Sequence, residues 1–231
     1  MLDTSKLDAC CNELWIKDIK KIYYSNIWVI VIPNGSTLVY KIFSDKRLYD
    51  NELTFYKLFK NNNINIPKIE NMWLVNEYYI LRLENIRVWG IRFGFMSDVD
   101  INELSIMLNK IYSIKVEDKS KWDFVVVNDV HSTNFFKRSI DSDLGIFDFS
   151  TAWYWFIEKD IACLYIEFNL SDIKLEEFIK LLNFPVNYKK IYYYTIKKLL
   201  QIVKEWMNIS EEKKLKCKKY IKIINLKLLK I

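Results

Sequence analysis

Asp129, Asn134 and Asp148 are the residues of this chain whose types and spacing best suit joint chemistry. The run Val126-Val127-Asn128-Asp129-Val130-His131-Ser132-Thr133-Asn134 ends an apolar segment on a carboxylate and supplies an amide oxygen five residues later. Gly145-Ile146-Phe147-Asp148-Phe149 then delivers a second carboxylate from another apolar segment. A carboxylate able to orient a hydroxyl, followed by two hard oxygen donors of the kind magnesium prefers, is the order that phosphoryl transfer needs. That reaction asks a protein chiefly to position groups and to neutralise charge spread over phosphate oxygens. Upstream, Val39-Tyr40-Lys41-Ile42-Phe43 places an ammonium on an apolar strand, and Asn51-Glu52-Leu53 places a carboxylate eleven residues after it on a helix. Lys41 offers a point charge for nucleotide phosphates, and Glu52 is placed to pair with it. Singly these residues are ordinary; Asp148 is the exception, because a carboxylate inside an apolar strand must be paired, hydrogen-bonded or metal-bound. The reading is an ATP- and Mg2+-dependent phosphotransferase acting on a small-molecule hydroxyl. Asp129 is its catalytic carboxylate and Asn134 and Asp148 are its metal ligands.

The elements that position these groups follow from periodicity. Lys21–Tyr24, Ile27–Ile32, Thr37–Phe43, Lys68–Leu74 and Glu77–Leu83 read as strands, and Pro33-Asn34-Gly35-Ser36 as a hairpin turn. Asp45 to Asn61 changes to a helical period. A helix from Asp100 to Ile114 follows, with Asp100 or Asn102 as its cap, then short strands near 124–127, 135–136 and 146–148. Helices are expected over Glu158–Glu167, Lys174–Leu182, Asn187–Asn208 and Ser210–Leu229. The expected fold class is α+β: a small antiparallel N-terminal lobe with one helix, residues 1–84, and a mostly helical C-terminal lobe, residues 85–231. The segment Leu83–Arg87 would be the hinge that receives an adenine ring through backbone groups.

Composition bounds the rest. The 231 residues are 51% apolar and 28% charged with only four Gly and three Pro, which leaves little room for long linkers. Ile27 to Ile32 is the longest apolar run near the start and is far short of a membrane span, and the N-terminus has no signal pattern, so a cytoplasmic protein is expected. Cys10, Cys11, Cys163 and Cys217 show no metal spacing and read as reduced thiols. Eight lysines between Lys213 and Lys230, with no acid among them, could dock on a membrane surface or nucleic acid. The preferred reading is a final helix with Leu215, Tyr220, Ile223, Ile224 and Leu228 inward and lysine stems outside, so no nucleic-acid partner is expected. Nothing in the sequence bears on oligomeric state.

From about Tyr23 to Asn169 the chain resembles the aminoglycoside phosphotransferase and choline kinase superfamily, of protein-kinase-like two-lobe fold. Ser25-Asn26-Ile27-Trp28-Val29-Ile30 is similar to the family's nucleotide loop and strand, and Leu48-Tyr49-Asp50-Asn51-Glu52 to its Glu-bearing helix. Asn65-Ile66-Pro67-Lys68-Ile69 is similar to the Pro-containing strand start after that helix. Asp160-Ile161-Ala162 matches a recurrent helix start, whose Asp braces the catalytic loop. The resemblance implies nucleotide binding by Ser25, Asn26, Lys41 and Glu52. Choline and ethanolamine kinases look nearest, on Asn128-Asp129 and on Glu167, seven residues after Asp160, which by resemblance orders the substrate side. A quaternary ammonium acceptor needs aromatic faces. Trp153, Tyr154, Trp155 and Phe156, with Trp206 and Tyr192 to Tyr194, are candidates, although at 16% aromatic residues the chain also needs such side chains for its core.

The chain departs from the family in four places. Val127 replaces a catalytic-loop His, the loop Tyr24-Ser25-Asn26-Ile27 lacks Gly, Ser150 stands where choline kinases usually place an acid, and the chain is short. His131 reads as loop scaffold, with no Ser or Cys motif for nucleophilic work. The alternatives are an aminoglycoside, sugar or protein kinase of the same fold, or a non-catalytic kinase-like binding module. The basic C-terminal quarter argues against a polycationic aminoglycoside.

Overall fold

Val29 and Val31 are buried along β2 (Trp28–Pro33) while Trp28 and Ile30 are half-buried, the pattern of a strand with one well-covered face. A computed structural model describes residues 4–24, 28–86, 91–93, 99–115, 124–205 and 210–230. In it β2 belongs to a five-stranded antiparallel sheet with β1 (Ile19–Tyr24), β3 (Leu38–Phe43), β4 (Ile69–Val75) and β5 (Tyr78–Glu84), in the order β1-β2-β3-β5-β4. The β2–β3 connection turns through Gly35 at φ 65°, where glycine carries no steric penalty. Lys41 stands opposite Ile30 on one side and Leu81 on the other, so it sits in the middle strand.

Helix α1 (Thr4–Glu13) precedes the sheet and adds to the expected elements. Its Leu7, Cys10 and Cys11 cluster with Val29, Val31, Ile42 and Ile80. Helix α2 (Lys46–Asn61) starts where Asp45 accepts from the Arg47 N–H at 2.8 Å. Its buried stripe is Glu52, Phe55, Tyr56 and Phe59, which puts one carboxylate among three aromatic rings.

The chain forms two compact units, the first made of Met1–Phe93 with Asn134–Thr151 and the second of Gly94–Thr133 with Ala152–Ile231. The first unit also holds a three-stranded sheet in the order β6-β8-β9, where β6 is Ile91–Arg92, β8 is Phe135–Lys137 and β9 is Gly145–Ile146. A Cβ on Gly145 would lie 2.6 Å from the Phe136 ring and 2.9 Å from the Asn65 carbonyl, so only glycine fits there. Ile146 N–H donates to that carbonyl at 3.0 Å, and Arg138 ties Glu84 (2.7 Å) and the Ile66 carbonyl (2.9 Å) to the same corner.

In the second unit β7 (Phe124–Val126) pairs with β10 (Trp153–Trp155). Helices α3 (Ile101–Tyr112), α4 (Glu158–Glu167), α5 (Asp172–Lys180), α6 (Tyr188–Glu205) and α7 (Glu211–Leu228) supply the rest. Asp100 caps α3, accepting from Asn102 and Glu103 N–H. The expected inward face of α7 needs correction. Ile224 is buried, but Leu215 and Ile223 are exposed and Tyr220 and Leu228 are half-buried. Apolar residues at 215, 220, 221, 223, 224, 226, 228 and 229 spread around the helix and define no single stripe. The four cysteines are free thiols, with Cys10 and Cys11 buried. No helix among the described residues is long and apolar enough to cross a membrane.

Candidate active site

In the first unit the Lys41 ammonium lies 2.9 Å from Glu52 Oε1 and 2.7 Å from Asp148 Oδ1. The strand fixes Lys41 and the buried stripe of α2 fixes Glu52, both almost without solvent exposure. A charge buried this deeply persists only when paired. Burial alone would lower the Lys41 pKa, but Asp148 and Glu52 outweigh it and hold it above its usual value. Burial pushes Glu52 up to about 7, only partly offset by Lys41. Ser150 Oγ donates to Asp148 Oδ1 at 3.0 Å, and the Asn51 amide donates to the Ser150 carbonyl at 3.0 Å, tying α2 to the residues after Asp148. Phe149 wedges its ring between Tyr56 and Phe59, with centroids 4.9 and 4.8 Å away.

Asp148 adopts φ 68° and Asn128 φ 67°, a left-handed backbone uncommon outside glycine and best tolerated by Asp and Asn. Such backbone concentrates at functional sites. Asn134 is nearly buried, and its carbonyl accepts from Phe147 N–H at 3.1 Å, so the amide residue and the strand leading to Asp148 are joined.

In the second unit Asp129 follows β7. Its Oδ1 lies 3.7 Å from Lys198 Nζ and its Oδ2 lies 3.4 Å from His131 Nε2, while His131 Nδ1 lies 2.7 Å from the Thr133 hydroxyl. His131 thus has an acidic neighbour two residues away in sequence. Lys198 was not among the residues singled out from the sequence; it lies 69 positions further on in a lysine-rich helix, with no motif to mark it. Fully buried Asp160 accepts from Val127 N–H (2.9 Å), Asn128 N–H (2.7 Å) and Tyr112 OH (3.3 Å), and so braces the segment that leads into Asp129. Burial pushes it up to about 6 despite these bonds. Glu167 accepts from Ser132 N–H at 3.4 Å, a second tie to the loop.

These pKa shifts set a stability profile. A carboxyl whose folded pKa lies above its unfolded one stabilises the fold most below the unfolded value, and this contribution is lost as pH rises through the folded value. Glu52, at about 7, and Asp160, at about 6, are of this kind. Glu84 and Asp172 are the opposite: burial raises each, but Arg138 and Lys227 outweigh it and hold them below the ordinary range. Their contribution is lost on strong acidification. Melting temperature is therefore expected to be higher near about pH 6 than near about pH 8 and to fall again below about pH 4. Thermal melts across that range check it.

Trp153 and Trp155 share one face of β10 and are 53% and 41% exposed, so they are not core side chains. Tyr154 is half-buried. Trp155 Nε1 donates to Tyr194 OH at 2.9 Å, and its ring carries the Lys159 ammonium 5.5 Å from its centroid. Tyr192 is buried against Tyr165 and belongs to the core. Ser25, Asn26 and Trp206 lie outside the described residues.

The donor set fits magnesium. No group of three or more His, Cys, Asp or Glu disposed to hold a metal occurs among the described residues. Asn134 and Asp148 supply two hard oxygens, and magnesium in nucleotide sites takes one or two protein oxygens with substrate phosphates and waters.

No protein-family model and no curated protein sequence matches the chain. Solved structures do. The choline kinase LicA from Streptococcus pneumoniae is similar at TM-score 0.70 and 14% identity, over 98% of this chain and 99% of that one. A wild-type aminoglycoside 2'-phosphotransferase in complex with GDP is similar at TM-score 0.65 and 10% identity, over 98% and 99%. A spectinomycin phosphotransferase in complex with ADP and spectinomycin is similar at TM-score 0.62 and 10% identity, over 87% and 88%. With these neighbours, the chain has the protein-kinase-like, two-lobe α+β fold of the aminoglycoside phosphotransferase and choline kinase superfamily.

Proposed function

We propose that the chain is an ATP- and magnesium-dependent phosphotransferase acting on a small-molecule hydroxyl, with choline or ethanolamine as the favoured acceptor. The observation that carries this reading is the Lys41 ammonium held between Glu52 and Asp148 on a middle strand. Lys41 would meet the α- and β-phosphates, with Glu52 holding it extended, and Ser25 and Asn26 would contact the nucleotide. Asn134 and Asp148 would hold magnesium, which when bound screens charge on the phosphates. Asp129 orients the acceptor hydroxyl. The acceptor oxygen forms its bond to phosphorus as the bond to the ADP oxygen breaks, and the hydroxyl proton passes to Asp129. Glu167 orders the loop on the acceptor side.

The solvent-facing Trp153 and Trp155, flanked by Tyr154, support a cationic acceptor. The Lys159 ammonium beside Trp155 is an example within the chain of what such a ring attracts. Trp206 is proposed as a further wall.

ADP release with magnesium and ATP, tested against choline, ethanolamine, sugars and aminoglycosides, checks the proposal. Release with choline or ethanolamine is the expected result. Trp155→Ala is then expected to raise KM for choline by about three- to thirtyfold, the size of one cation–π contact, with KM for ATP unchanged. Release only with a sugar or aminoglycoside would overturn the acceptor assignment. ATP binding without release across the panel would mark a binding module.

A further inference from the structure

We propose that Lys198 is a positioning residue that fixes the Asp129 carboxylate, an inference that rests on the phosphotransferase reading above. The two carboxylate oxygens are met from two different elements: Oδ1 by Lys198 Nζ of α6 at 3.7 Å, and Oδ2 by His131 Nε2 of the loop itself at 3.4 Å. The Thr133 hydroxyl lies 2.7 Å from Nδ1, which holds the ring with its Nε2 edge toward Asp129. Asp129, His131 and Lys198 are all about one-third exposed (34%, 35% and 34%), so the arrangement is open to a substrate and is not a sealed structural pair.

Helix geometry singles out Lys198 among its lysine neighbours. Ile191, Thr195 and Leu199 are buried, and Thr195 locks that face through a 2.8 Å bond to the Ile191 carbonyl. Lys198 stands three residues after Thr195, on the edge of the buried face. Lys197 is exposed and lies over the Tyr193 ring at 5.4 Å. Further titratable groups come from α4. Cys163 is pushed up to about 12 by burial and stays a neutral thiol, Asp160 is held by the loop N–H groups, and Lys159 lies over Trp155.

A carboxylate that orients a hydroxyl must stay ionised and keep one orientation. A cation beside one oxygen and an imidazole edge beside the other serve both ends. Lys198 is not required to touch the acceptor or the nucleotide for this.

The test uses purified protein with Lys198→Met, Lys198→Arg and Asp129→Asn. Lys198→Met is expected to lower kcat by about two- to fivefold, the weight of one partly exposed ion pair, with KM for ATP unchanged; Lys198→Arg is expected to restore most of it. A second readout needs no turnover. The chain has one histidine, so the His131 imidazole gives a single NMR titration. Removing the Lys198 charge is expected to raise its midpoint by a few tenths of a unit to about one unit, and Asp129→Asn is expected to lower it. Unchanged kcat together with an unmoved His131 midpoint in Lys198→Met would overturn the proposal. A moved midpoint in a wild-type protein inactive on every acceptor would retain Lys198 as the clamp on Asp129 and reject the phosphotransferase reading instead.

Discussion

Asp129→Ala is expected to lower ADP release by about a hundredfold to ten-thousandfold, the range of a positioned acid–base group. Its melting temperature should stay within about 2 °C of wild type, as for a surface substitution. The two effects separate because of where Asp129 sits. Its side chain is 34% exposed, and Lys198 and His131 beside it are as open, so truncation leaves neither of them a buried charge. What it removes is the group proposed to aim the acceptor hydroxyl. Steady-state ADP release paired with a thermal melt checks both halves. Wild-type turnover in the folded variant would remove Asp129 from the assignment and with it the chemistry proposed here.

Asp160→Ala should give the largest loss of stability among the loop residues. The carboxylate is fully buried and satisfies two consecutive backbone N–H groups and a tyrosine hydroxyl. Removing it leaves those donors without water, at about 1–3 kcal/mol each when taken singly. Because they are neighbours their costs do not add fully, and a total of about 3–5 kcal/mol is expected. That corresponds to a melting temperature lower by on the order of 10 °C in a chain of this size. Asp160→Asn, which keeps one acceptor oxygen, should lose less. Differential scanning measurements on both variants decide it, and an unshifted melt for the Ala variant would show that the loop does not depend on this brace.

Much of the frame was legible in the sequence because its signals are local. Alternation of apolar residues located all five strands of the first sheet to within about two residues, and the 3.6-residue period located α2 and α3. The Lys41–Glu52 pair was legible too, since a strand lysine and a carboxylate on the next helix can meet across one turn. The Lys41–Asp148 contact spans 107 residues and was reachable only through the order of motifs. Lys198 was hidden for the opposite reason: in a helix rich in lysine, one that turns inward looks like those that do not. Helix α1 escaped because only Leu7, Cys10 and Cys11 mark its buried face, too few to set a period. The exposure of Trp153 and Trp155 was undecided because, in a chain so rich in aromatic residues, a short aromatic run suits core and surface equally.

The first unit is built from two separated stretches of chain, and this orders events during synthesis. The five-stranded sheet is complete once residue 84 has emerged, and Lys41 can already pair with Glu52. Its second counter-charge, Asp148, arrives only after the chain has travelled through Gly94–Thr133 and come back. Closing so long a loop is slow compared with forming neighbouring strands. A nascent chain therefore holds a nearly finished sheet around a lysine with one of its two carboxylate partners for much of its elongation. The charge pattern on which nucleotide recognition would depend comes into being late, as β8 and β9 add to the unit.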